Sequence, residues 1–292
     1  MDETSRVTFD DGSAAILKIA ELGTSPETLD FESALVEAAL EADPTLPLAR
    51  VIPTPQGESR IIADGRWARL VQCLPGRDAA AERAGLALVR EIGHVAGRLT
   101  RALEGFRHPA DHRPVAWDVR RAPALRDRLA LVDDVDLRID LARALDDLDA
   151  ALPAITRLPA QVVHNDLNGG NVLIDDGGVS GIVDFGDAAF VPRACDVGIA
   201  MSYTLGYAAE DAVDDAPAAF LVGYREVVDL TPDELAVLPV IVRARAAQRV
   251  LMSVGDAASI PGEGRRDETA RIARASADLR RLIAAGDQGS TA

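Results

Sequence analysis

Residues 6–20 read RVTFDDGSAAILKIA, two short strand-like runs on either side of Asp10-Asp11-Gly12-Ser13. That pattern predicts a β-hairpin. Residues 28–42 (TLDFESALVEAALEA) place Leu29, Leu35 and Leu40 near one face, the spacing of an amphipathic helix. Two further strand-like runs, 59–63 and 67–72, are joined by Asp64-Gly65 and broken by Cys73-Leu74-Pro75-Gly76. From residue 81 the periodicity turns helical. It predicts helices over 81–105, 137–152, 216–228, 232–254 and 267–285, and another beginning near Asp196. Thr231-Pro232-Asp233-Glu234 is a capping box with proline at the first helical position. Inside the helical region, β-branched runs flank Asp175-Asp176-Gly177-Gly178 and predict a second hairpin. The reading is an α+β, bilobal chain: a small antiparallel β lobe with one helix over 1–75, a mainly helical lobe over 76–285, and a disordered tail over 286–292.

Composition sets outer limits. The 292 residues are 48% hydrophobic, enough for two lobes with full cores. Formal charge is −16, which makes nucleic acid and anionic membranes poor partners. There is no long apolar run: AVLPVIV, residues 236–242, ends at Arg243 and is too short to span a bilayer. The polar amino terminus is not a secretory signal, and Cys73 and Cys195 read as free thiols, so the expected compartment is the cytoplasm. Oligomeric state is not legible.

The chemistry concentrates in residues 164–187, HNDLNGGNVLIDDGGVSGIVDFGD. His-x-Asp-Leu-x-x-x-Asn (His164, Asp166, Leu167, Asn171) precedes Asp184-Phe185-Gly186, the arrangement by which kinase-like folds set a base and two metal ligands around a γ-phosphate. Phosphoryl transfer asks the protein for an aimed hydroxyl and for neutralised phosphate charge. Asp166 would take the hydroxyl proton. Asn171 and Asp184 would hold Mg²⁺, and the intervening hairpin would return Asp184 to the side of Asn171. His164 and Asp196 would support the loop, Asp196 either by accepting loop N–H groups or as a helix cap.

Lys18 lies on the second strand of the first hairpin. It is the sole lysine; the other 30 basic residues are arginine. A compact ammonium kept among arginines suits the α/β-phosphates of ATP or GTP. Glu32 is the expected salt-bridge partner of Lys18, with Glu37 as alternative. Backbone groups of Gln72, Cys73 and Leu74 would meet the nucleotide base at a hinge. Only five residues precede Arg6, too few for the strand and turn that open a kinase-like small lobe, so that first strand is expected to be missing.

Two features narrow the acceptor. Asn165 stands where protein kinases carry an arginine that senses a phosphorylated activation loop, and the stretch from Gly186 to Asp196 leaves no room for a peptide-docking segment. The acceptor is therefore a small molecule, and the acidic chain suits a cationic one. Asp187 could attract its ammonium. Trp117, Asp118, Tyr203 and Arg243 are acceptor-site candidates by position. An amino acid acceptor would require an arginine for its carboxylate as well.

HNDLNGGNVLID, GIVDFGDAAFVPRACDVGIAMSYTL and Lys18 resemble the aminoglycoside phosphotransferase and choline kinase superfamily. The DFGD-to-ACDVGIA stretch, FRHPADHRPVAWDV and FLVGYREVVDLTPDEL look most like hydroxylysine kinase-type phosphotransferases. The resemblance spans nearly the whole chain and implies a protein-kinase-like fold, Asp166 as base, Asn171 and Asp184 on Mg²⁺, and Lys18 on phosphate. Asn165 departs from the glycine usual in that family, although asparagine tolerates the left-handed backbone. The leading reading is a small-molecule kinase acting on a hydroxyl of an amine-bearing metabolite, hydroxylysine-like or an amino alcohol. Alternatives are an antibiotic phosphotransferase, or a nucleotide-binding pseudo-enzyme left weak by its short small lobe.

Overall fold

The computed structural model describes residues 2–259 and 264–289. Its first hairpin pairs β1 (Glu3–Thr8) with β2 (Ala14–Ile19), in register from Glu3↔Ile19 to Thr8↔Ala14. The turn closes because Gly12 takes φ 84° and the Asp11 carboxylate accepts the Ser13 backbone N–H at 2.8 Å. β1 starts at Glu3, before the Arg6 read from the pattern, and among the described residues it pairs on one side only. Ser25 and Pro26 start α1 (Pro26–Ala42), the Ser25 hydroxyl accepting the Thr28 N–H. The chain then adds β3 (Val51–Ile52), β4 (Ile61–Ala63) and β5 (Arg66–Gln72). The sheet runs β1-β2-β5-β3, with β4 also on β5, so β2 and β5 lie side by side at its centre.

After a hinge at residues 73–76, β6 (Arg77–Asp78) leads to α2 (Leu86–Ala102). The predicted helix over 81–105 is shorter at both ends. Residues 79–81 form a separate 3₁₀ turn, Gly85 caps the start, and Gly105 with φ 76° leaves the helical region. Val119–Leu131 is a run of 3₁₀ turns holding Pro123, with no helical period to announce it. There follow α3 (Val135–Ile155), β7 (Ala160–Val163), β8 (Val172–Asp175), β9 (Gly178–Ile182) and β10 (Ala189–Pro192). The last elements are α4 (Arg193–Tyr207), α5 (Ala216–Arg225), α6 (Pro232–Ser259) and α7 (Gly264–Gly289). The disordered tail expected from Gly286 is not observed as far as Gly289, where α7 continues; residues 290–292 lie outside the described residues.

Buried side chains of α2, α3, α4 and α6 share one core, with Leu141, Leu145, Ile199, Ile241 and Leu251 fully enclosed. Two glycines bring α2 against α5. A Cβ on Gly93 would lie 2.0 Å from the Phe220 carbonyl oxygen, and one on Gly223 1.8 Å from that of Arg90. Among the described residues no helix is long and apolar enough to cross a membrane.

Candidate active site

β7 delivers the chain to His164 with its backbone already committed. Asn165 adopts φ +66°, which an L-residue other than asparagine or aspartate seldom accepts. Four hydrogen bonds hold that turn. The buried Asp196 carboxylate, in the first turn of α4, accepts the Asn165 backbone N–H at 2.6 Å. The Asn165 side-chain amide donates to the Asp187 carbonyl at 3.0 Å. His164 donates from Nε2 to the Val183 carbonyl at 3.0 Å and accepts the Asp166 N–H at Nδ1, 3.3 Å away, which assigns the neutral tautomer.

The hairpin closes as the sequence implies. β8 and β9 pair from Val172↔Ile182, and the Val183 N–H donates to the Asn171 carbonyl at 3.0 Å. Asp184 therefore emerges beside Asn171, with φ +65° turning its carboxylate into the cleft. The Asn171 amide nitrogen is engaged by the Asp166 carbonyl at 2.9 Å, so its oxygen is the end available to a cation. One carboxylate and one neutral oxygen suit Mg²⁺, which takes few protein ligands and completes its shell with phosphate and water. No group of three or more His, Cys, Asp or Glu among the described residues could hold a metal unaided.

Across the cleft, the Lys18 ammonium lies 3.0 Å from Asp184 Oδ1, linking β2 to the turn after β9. Burial alone would raise the Asp184 carboxyl; the charge and hydrogen bond of Lys18 outweigh it and leave the group below the ordinary carboxylate value. The expected Lys18–Glu32 pair does not form. Arg69 lies directly opposite Lys18 in the β2–β5 ladder, is buried, and takes Glu32 in a close ion pair. Strand register decides this, because it sets two cations on the sheet face that α1 covers. Glu37, the alternative, pairs with Arg50 at 3.2 Å. Lys18, Val71, Cys73, Leu74, Asn171 and Asp184 line a cavity of about 350 Å³. Gln72 also lines it, while its side-chain oxygen accepts the Arg50 N–H at 3.1 Å. Gly76, at φ 108°, lets the hinge pass β8: a Cβ there would meet the Ile174 carbonyl oxygen at 2.8 Å.

Asp166 Oδ1 receives Arg245 Nη2 at 2.5 Å and Oδ2 receives the Asn168 amide at 2.8 Å. Arg245, fully buried on α6, was not among the residues picked from sequence. Its position four turns into a long helix carries no local motif. Trp117 and Tyr203 flank it, their ring centroids 4.7 and 5.3 Å from its guanidinium carbon. Arg243, the arginine favoured by position, lies 3.6 Å from Asp147 of α3 instead. Asp118 caps the 3₁₀ run and pairs with Arg120 at 2.7 Å. Among the described residues nothing hydrogen-bonds the Asp187 carboxylate. Burial and the like charge of Asp166 push it up to about 6, against the pull of Arg245 and Arg113. Arg113, also unforeseen, donates to the Gly186 and Ala188 carbonyls, the latter at 3.2 Å, and so clamps the turn that carries Asp184.

Asp166, Asn171, Asp184 and Lys18 thus lie around one cleft. Homoserine kinase from Gluconobacter oxydans (strain 621H) is 31% identical over 222 residues, covering 74% of this chain and 68% of that one. Hydroxylysine kinase from Bos taurus is 26% identical over 276 residues, covering 85% and 72%. In fold, the chain superimposes on a microcompartment-associated aminopropanol kinase with a TM-score of 0.74 at 21% identity, covering 98% and 94%. The phosphotransferase enzyme family model matches residues 2–238. With that match spanning most of its length, the chain belongs to the phosphotransferase enzyme family and is a small-molecule kinase with the protein-kinase-like bilobal fold.

Proposed function

We propose that this kinase transfers the γ-phosphoryl group of ATP or GTP to a hydroxyl of a small, amine-bearing metabolite, of the hydroxylysine, homoserine or amino alcohol type. The observation that carries the reading is the convergence on one cleft of Lys18 from β2, Asp166 and Asn171 from the loop after β7, and Asp184 from the turn after β9. Asp166 orients the acceptor hydroxyl and takes its proton as the new P–O bond forms and the bond to the leaving diphosphate breaks. Lys18 moves from Asp184 to the phosphates. Asp184 and the Asn171 oxygen would hold Mg²⁺, which would offset the charge of the phosphates. Gln72, Cys73 and Leu74 border the nucleotide base. His164 and Asp196 keep the loop in its left-handed turn.

Asp187 is the anchor for the acceptor ammonium. It is adjacent to the turn that carries Asp184, half-buried and without a hydrogen-bond partner among the described residues. The amine-bearing acceptors of the named relatives agree with this assignment. Asp166→Ala should lower phosphoryl transfer by about three orders of magnitude or more while Mg·ATP still raises the melting temperature. Turnover at the wild-type rate in that variant would sink the proposal. Assays with hydroxylysine, homoserine, ethanolamine, choline and an aminoglycoside resolve the acceptor.

A further inference from the structure

Arg245 has a geometry that neither ordinary packing nor substrate contact explains. A guanidinium has five N–H donors in a fixed plane. Two leave Nη1, one to the Trp117 carbonyl at 2.7 Å and one to Gln248 Oε1 at 2.9 Å. Two leave Nη2, one to Asp166 Oδ1 at 2.5 Å and one to the Tyr203 hydroxyl at 3.1 Å. The rings of Trp117 and Tyr203 lie against the same group, so the plane cannot turn. Gln248, itself fully buried, is tied in turn to the Asp118 carbonyl at 3.3 Å. The result is an immobile positive charge with one edge on the base.

We infer that Arg245 is the positioning residue of Asp166: it fixes the direction of the carboxylate and compensates its charge, so that the acceptor hydroxyl meets an already oriented oxygen. Each carboxylate oxygen has about two acceptor directions. Arg245 occupies one on Oδ1, and the amides of Asn168 at 2.8 Å and Asn171 at 3.4 Å occupy both on Oδ2, which leaves the second direction of Oδ1 for the hydroxyl. The charge also offsets the like charges of Asp187, beside residues 184–186, and of Asp196, on α4, both of which interact with Asp166. Without Arg245, three carboxylates would share the floor of the site. Lysine could not do the same work, since a point charge has no plane to hold between the two rings and four acceptors.

This inference rests on Asp166 being the base, and the experiment separates the two. Phosphoryl transfer is measured with whichever of ethanolamine, homoserine or hydroxylysine the wild type turns over fastest, for Arg245→Ala, Arg245→Lys, Tyr203→Phe and Asp166→Ala. Arg245→Ala should lose about a hundredfold or more in kcat, with the KM for Mg·ATP and its thermal stabilisation unchanged. Methylguanidinium at millimolar concentration should restore roughly tenfold of that loss, and methylammonium none. Arg245→Lys should remain low and unrescued. Tyr203→Phe, which keeps the fold while removing one Nη2 partner, should lose about threefold to tenfold in kcat at constant nucleotide KM. Wild-type kcat in a folded Arg245→Ala, or in Tyr203→Phe should the alanine variant not fold, overturns the inference. So does a loss in Arg245→Ala that methylguanidinium leaves untouched. Full turnover in Asp166→Ala instead overturns the function proposed above.

Discussion

At Asp187 the needs of stability and of binding oppose each other. Its carboxyl holds a proton more tightly in the folded chain, from the usual 3.8 up to about 6. Folding therefore favours the protonated form, and stability falls as pH rises through that window. The shift corresponds to at most about 3 kcal/mol, and solvent screening brings it to about 1–2 kcal/mol. Asp187→Asn should then be more stable than wild type at pH 7.5 by that amount, with the gain fading toward pH 4; urea unfolding at several pH values measures it. The same change should raise the acceptor KM about tenfold or more, because a neutral amide gives up the charge that holds an ammonium. Asp166, Asn171 and Asp184 were legible in the sequence because they lie within one short window closed by a hairpin whose turn residues are themselves diagnostic. Arg245 was not: it is one of 30 arginines, and only the packing of α6 onto the catalytic loop distinguishes it.

Helix α1 shows what an element adds that single residues do not. Phe31 sits in a cage of Phe106, His108 and Arg113, with ring centroids 6.2 and 5.5 Å away for the first two and the guanidinium 5.9 Å away. One turn of the helix thereby seats Glu32 on Arg69 and touches Arg113, which clamps the turn that carries Asp184. Glu32→Ala leaves a buried guanidinium unpaired and should cost about 3–5 kcal/mol, whereas Glu32→Leu with Arg69→Leu should recover most of it; urea denaturation checks both. Because Lys18 lies on Asp184, the double variant should keep its Mg·ATP stabilisation, a result not expected if Glu32 braced the lysine. The two hairpins and most helices were legible because each rests on local turn chemistry or on a helical period. β3, two residues long, and the proline-bearing 3₁₀ run carry no period, and the ladder that matches Lys18 with Arg69 joins segments fifty residues apart.

On the scale of the molecule, a formal charge of −16 repels a nucleoside triphosphate, and the cleft presents Asp166, Asp184 and Asp187 close together. Under the function proposed above, nucleotide affinity comes from Lys18 and from a divalent cation. ATP in the presence of EDTA should give no measurable rise in melting temperature, and Mg·ATP a rise of several degrees, as differential scanning fluorimetry would record. Lys18 itself has one more consequence. Its ε-amine faces the cleft with a side chain 14% exposed, and no second lysine exists anywhere in the chain. An acylating reagent therefore has one side-chain address, and intact-protein mass spectrometry can count its occupancy. A tag added slowly to the empty enzyme and blocked by Mg·ATP would turn the arginine-for-lysine habit of this sequence into a stoichiometric gauge of nucleotide occupancy.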